Sequence, residues 1–253
     1  MTFRILILFF FFVEILPLFP FSALAESLPR QSDPAFQQAV EQVVEQYLRA
    51  HPEVIEQTLQ ALQAKRETEE RERVQNLIAA RQKDLLHDPN APVSGNLKGD
   101  VTVVEFFDYR CGYCKRVAPA VTQLQQDDPN VRVVYKDFPI LGEASEVAAR
   151  AALASKVQGK HVAFHESLLA SKNELTQETI LMIAAEVGLD IEQLKRDMGA
   201  PLIQATIERN RMLAKELGIN GTPGFIIGKE LVPGALELKD LQNLIRQVRQ
   251  EKS

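Results

Sequence analysis

Tryptophan is absent from this sequence, cysteine occurs twice, and basic residues are in slight deficit. Two cysteines close at most one loop, which excludes a disulfide-rich scaffold. The pair is Cys111 and Cys114, so close together that a bond between them would stabilise little by chain restriction, and chemistry is the better reason for its presence. With 29 basic against 34 acidic residues, nothing supplies the positive field that phosphate backbones require, and no nucleic-acid partner is expected. A hydrophobic fraction of 45%, with 12 Gly and 13 Pro in 253 residues, excludes disordered and collagen-like chains. The length suits one large domain or two smaller ones.

Long apolar runs are also scarce. Ile5 to Val13 is the clearest, preceded by Arg4 and followed by Ala23-Leu24-Ala25, a small-x-small cleavage pattern. Glu14, Pro17 and Pro20 interrupt the stretch beyond Val13, so no clean run of the ~20 residues a spanning helix needs is left. Residues 1–25 therefore read as a signal peptide cleaved after Ala25, and the protein as periplasmic or otherwise exported. An oxidising compartment permits a persistent disulfide.

From Asp33 to about Leu86 there is no glycine and no strand pattern. Apolar residues at Phe36, Val40, Val43, Val44, Tyr47 and Leu48, then Val54, Ile55, Leu59 and Leu62, predict amphipathic helices broken at His51-Pro52. Lys65 to Arg73 is charged at all but one position and reads as a solvated helical connector or a hinge. Residues 26–90 are thus an all-helical segment whose apolar stripe must be covered, either by packing back on its own domain or, as expected from the charged connector that holds it away, by self-association as a dimer or trimer through residues 34–62. Asp88 to Pro92, with Gly95 and Gly99, predicts a loop.

Val101–Phe107 and Val131–Tyr135 are buried-strand candidates flanking a helix from about Gly112 to Gln126, an α/β unit with a parallel strand pair. Lys136-Asp137-Phe138-Pro139 closes the second strand. Helical periodicity then dominates to Leu217, an insertion at about 141–218. Strand signals return at Phe225–Ile227 and Leu231-Val232, before a last amphipathic helix. The second domain spans 91–253.

Cys111-Gly112-Tyr113-Cys114 follows the first strand and opens the helix. A thiol at a helix N-terminus faces the positive end of the dipole, which favours the thiolate and makes Cys111 the expected nucleophile. Cys114, one turn further in, would resolve a mixed disulfide at Cys111. Arg110, Lys115 and Arg116 add positive charge nearby. A structural disulfide or half of a zinc site are the alternatives. Zinc needs two further ligands, and none of His51, His87, His161 and His165 is placed by sequence beside the cysteines, so no metal site is expected. His161 and His165, spaced i,i+4, read as surface or core filler.

Glu105-Phe-Phe-Asp-Tyr-Arg-Cys-Gly-Tyr-Cys-Lys-Arg116, together with Gly221-Thr222-Pro223, resembles the DsbA-type thioredoxin-fold disulfide oxidoreductases with a helical insertion. The added N-terminal helices resemble those of the exported suppressor-of-copper-sensitivity C proteins. The resemblance implies that Pro223 is a cis proline facing Cys111, that the Thr222 backbone binds an extended substrate, and that Glu105 is a buried acid assisting proton transfer at Cys114. It also implies no cofactor beyond the redox-active Cys111-Cys114 disulfide. Exported proteins with cysteines would be the substrates, and a membrane redox partner would recycle the dithiol.

Gly112-Tyr113 between the cysteines and Thr222 before the proline resemble disulfide isomerases, and an oligomer would place several sites around one cleft. Disulfide isomerase is therefore the expected activity. A dithiol oxidase and a Cu(I)-binding protein using both thiolates are the alternatives.

Overall fold

A computed structural model describes residues 33–251. The expected signal peptide lies outside the described residues. The chain divides into two compact units after Gln63.

In the first unit, Asp33 caps helix α1 (Pro34–Ala50), its side chain accepting from the Ala35 N–H at 3.0 Å, with Pro34 in the first turn. Such a cap contributes about 1 kcal/mol. His51-Pro52 ends α1, and helix α2 (Glu53–Ala80) starts beyond it. No residue of α1 is buried: Val43 is 66% exposed and Leu59, on α2, 60%.

The second unit begins within α2 rather than near residue 90. Its last turns bury Ile78, and a short helix α3 (Gln82–Leu86) buries Leu85, both in an apolar cluster with Val104, Phe106 and Leu213. The charged Lys65–Arg73 run is continuous helix within α2.

A five-stranded sheet carries this unit: β1 (Val93–Gly95), β2 (Val101–Phe107), β3 (Val131–Asp137), β4 (Gly224–Ile227) and β5 (Glu230–Pro233), in spatial order β1-β3-β2-β4-β5. β2 and β3 are parallel, joined through helix α4 (Gly112–Asp127), and the other pairings are antiparallel. The expected loop over Asp88–Gly99 thus contains a strand, too short to show a period-2 pattern. Gly95 ends it at φ +73°, where an added Cβ would meet the Val131 carbonyl at 2.5 Å.

Both faces of the sheet are covered, so β2 and β3 are buried at almost every position, as continuous apolar runs require. On one face, Val101, Val103 and Phe107 pack under α4, the helical insertion and the last helix α10 (Leu238–Glu251). On the other, Val104, Phe106 and Val134 meet α3 and α9 (Pro201–Leu217). The insertion comprises α5 (Glu143–Ser155), α6 (His161–Ala170), α7 (Gln177–Glu186), α8 (Ile191–Met198) and α9. The result is the α/β thioredoxin fold with a helical insertion, preceded by helices. Among the described residues, no helix is long and apolar enough to cross a membrane.

Candidate active site

The chain leaves β2 at Phe107, turns through Asp108-Tyr109-Arg110, and enters α4 with Cys111 as the N-cap residue. The Cys111 N–H donates to the Asp108 carbonyl at 3.1 Å, fixing the turn. Cys111 retains 7% exposure and Cys114 none, and both are free thiols. The Cys111 Sγ donates to the Thr222 carbonyl at 3.2 Å, joining residues 111 positions apart. The Thr222-Pro223 bond is cis, as the resemblance implies.

Tyr113 projects outward, 58% exposed, with the Arg116 guanidinium 5.0 Å above its ring. Gly112 has open space where a side chain would stand. Tyr113, Arg116, Ile219, Thr222, Pro223 and Leu231 line a groove of about 510 Å³. The other two basic residues turn elsewhere: Arg110 donates to the Leu141 carbonyl at 2.8 Å and Lys115 to that of Ser171 at 2.8 Å.

Glu105 lies in β2 between Tyr135 of β3 and Phe225 of β4, on the face covered by α4. It is 1% exposed, and its Oε1 has no hydrogen-bond partner. Burial without a counter-charge pushes its carboxyl up to about 8. Burial also raises the Cys114 thiol, with the negative charge of Glu105 adding to the effect, while hydrogen bonds from the Asp108 backbone and the Thr222 side chain partly offset it. Glu105 and Cys114 are therefore close enough to couple, and each is held in its protonated form by its surroundings.

Two further buried acids lie at the ends of β2 and β3. Asp108 is buried and accepts three backbone N–H groups, from Arg110, Ile140 and Leu141. Asp137 ends β3, opposite Phe107, with neither carboxyl oxygen hydrogen-bonded, and burial pushes it up to about 8. Sequence reasoning assigned neither a role. An acid directly after the strand that leads into a Cys-x-x-Cys segment is the one signal that could have found Asp108.

His161 and His165 are core filler, as read from sequence. His165 Nδ1 lies 3.0 Å from the Tyr109 hydroxyl, and burial lowers both imidazoles, His161 to about 3. Among the described residues, no group of three or more His, Cys, Asp or Glu is arranged to hold a metal ion.

Residues 102–246 match the family model of the DSBA-like thioredoxin domain, and residues 37–69 that of the copper resistance protein ScsC N-terminal domain. A crystal structure of a thioredoxin-like oxidoreductase from Silicibacter pomeroyi is 52% identical, with a TM-score of 0.65, covering 66% of this chain and 97% of that one. Proteus mirabilis ScsC in a transitional conformation is 26% identical, with a TM-score of 0.64, covering 87% of this chain and 99% of that one. Among curated relatives, Na(+)/H(+) antiporter NhaA 3 of Salinispora tropica is 31% identical over 137 residues. The match takes in 53% of this chain but only 21% of the antiporter's length. The first family model spans more than half of the chain, and the protein belongs to the DsbA-like thioredoxin family of thiol-disulfide oxidoreductases.

Proposed function

We propose that the protein is exported, with cleavage after Ala25, and acts as a disulfide isomerase on exported proteins that contain cysteines. The observation that carries this reading is the approach of the Cys111 Sγ to the Thr222 carbonyl, at 3.2 Å, beside an open groove. A substrate segment lying along the Thr222-Pro223 turn brings its own disulfide to the nucleophile. The Cys111 thiolate attacks one substrate sulfur, forms a mixed disulfide and releases the other sulfur as a thiolate. When that substrate thiolate, or another in the same chain, attacks the mixed disulfide, Cys111 is regenerated and no net oxidation occurs.

If no substrate thiol returns, Cys114 completes the escape. Once Glu105 has lost its own proton, its carboxylate accepts the Cys114 proton, and the thiolate attacks the Cys111 Sγ. The substrate leaves as a dithiol and the enzyme as the Cys111-Cys114 disulfide. A membrane redox partner would then return two electrons to that disulfide. No cofactor takes part in either route.

Gly112-Tyr113 between the cysteines, Thr222 before the proline and the exposed apolar residues of α1 support isomerase activity. Self-association as a dimer or trimer through residues 34–62 would cover that surface and place more than one dithiol before a single substrate. Refolding of scrambled ribonuclease tests the reading. The mature protein is expected to restore ribonuclease activity, Cys111→Ala to abolish the effect, and Val43→Glu with Tyr47→Glu to weaken it while yielding a monomer in light scattering. Oxidation of reduced ribonuclease without unscrambling would make the protein a dithiol oxidase. Stoichiometric Cu(I) uptake without turnover would make the dithiol a metal-binding pair.

A further inference from the structure

A second concavity lies on the face of the sheet opposite Glu105 and α4, where the side chain of Lys136 emerges from β3. Its volume is about 510 Å³, within the range that holds a small organic ligand. The acids in its wall are already engaged. Asp88 accepts from Lys136 Nζ at 3.0 Å and from the Asn90 N–H at 2.9 Å. Glu216 takes the Arg81 guanidinium at 2.8 Å, and Asp84 lies 3.5 Å from the same group.

The bases outnumber these acids. Lys83, His87 and Arg209 also line the cavity, and among the described residues none of the three forms an ion pair. Arg209 makes one side-chain hydrogen bond, to the Thr206 hydroxyl at 3.0 Å. Its charge acts on both Asp88 and Lys136, so two like charges share the cavity, with Asp88 and Asp84 as the carboxylates that act on Lys136. Lys136 is 1% exposed, and among the described residues Asp88 is the single side-chain acceptor it meets, which leaves two of its three N–H donors without one. A buried ammonium with spare donors beside an unpaired guanidinium is a site for an oxyanion. Pro89, Met212 and Leu213 complete the wall with apolar surface.

We infer that this cavity binds a small organic anion, its carboxylate or phosphate head between Lys136 and Arg209 and a short apolar body against Met212 and Leu213. The dithiol plays no part in it, so the site stands or falls independently of the proposed isomerase activity. Phenyl phosphate, benzoate and inorganic phosphate are the probes, titrated calorimetrically into the mature protein. Saturable binding of phenyl phosphate or benzoate with a dissociation constant below about 1 mM is expected, tighter than that of inorganic phosphate by about tenfold. The Arg209→Gln, Lys83→Gln variant is expected to lose at least about tenfold in affinity while keeping its melting temperature and thiol-exchange activity, and Cys111→Ala to bind as the parent does. No saturable binding of either organic probe at about 10 mM, or equal affinity in the parent and the Arg209→Gln, Lys83→Gln variant, overturns the inference.

Discussion

Asp108 Oδ2 accepts the backbone N–H of Leu141 at 3.0 Å, joining the turn that leads into Cys111 to a loop 33 residues further along. The same oxygen takes the Ile140 N–H at 2.8 Å, Oδ1 takes that of Arg110, and the Arg110 guanidinium returns a bond to the Leu141 carbonyl. Three donors converge on two carboxylate oxygens. An amide can serve one side of this arrangement but presents its NH₂ to the other. Asp108→Asn is expected to lower stability by about 1–3 kcal/mol, and hydrogen exchange at Ile140 and Leu141, or at Arg110, should accelerate by tenfold or more. Unchanged exchange at all three amides would show that the carboxylate is dispensable to the turn.

Burial separates the roles of the two thiols. With Cys111 partly accessible and Cys114 fully enclosed, Cys114→Ala should accumulate a mixed disulfide with a cysteine-containing peptide, and Cys111→Ala should accumulate none. Non-reducing mass spectrometry reads both. A stable adduct on Cys114 in the Cys111→Ala protein would reverse the assignment.

Glu105→Gln keeps the shape of the side chain and removes its capacity to accept a proton. Formation of the mixed disulfide should be nearly unaffected, and its resolution by Cys114 should slow by about 10²-fold. In the parent, the resolution rate should rise with pH up to about 8, where Glu105 loses its own proton, and this rise should be missing from the variant. Quenched-flow trapping of the adduct across that range separates the two steps. Identical profiles would remove Glu105 from the chemistry.

The buried titratable groups also set a stability optimum. Glu105 and Asp137 keep in the fold protons that the unfolded chain releases near 4.5 and 3.8, so their contribution is complete below those values and is lost as pH rises to about 8. His161 and His165 act in the opposite sense. The unfolded chain protonates them below about 6.5 while the fold keeps them neutral, so stability is lost as pH falls from there toward about 3. Melting temperature should therefore peak in mildly acid solution. Asp137→Asn should raise it at pH 9 by several degrees, corresponding to at least ~1 kcal/mol, with little change at pH 4. A variant that melts in parallel with the parent at every pH would show that Asp137 is not held protonated.

Local pattern made much of the domain legible. Val101–Phe107 and the helix after Cys111 were readable because an apolar run and a Cys-x-x-Cys pair adjoin without a gap. The burial of Glu105 came from family resemblance, since an acid within the apolar run of Val103, Val104, Phe106 and Phe107 can equally face solvent at a sheet edge. β1 escaped because three residues carry no period. Asp108 and Asp137 escaped because their surroundings come from segments that pattern cannot bring together, such as Ile140 and Leu141 around Asp108. The facing of cis Pro223 toward Cys111 came from family resemblance, since a proline after threonine denotes by itself only a turn. Lys136 and Asp137 are neighbours in the sequence but serve opposite faces, one pairing with Asp88 and the other buried opposite Phe107.

The separation between Cys111 and Thr222 also bears on synthesis. Cys111 enters the nascent chain 111 residues before the carbonyl its thiol meets in the fold. At 5–20 residues per second, that leaves an interval of roughly 5–20 s in which both cysteines exist and their site does not. During it they are ordinary thiols of an unfolded chain, open to pairing with any other. The protein therefore carries two unprotected thiols before the site that holds them exists.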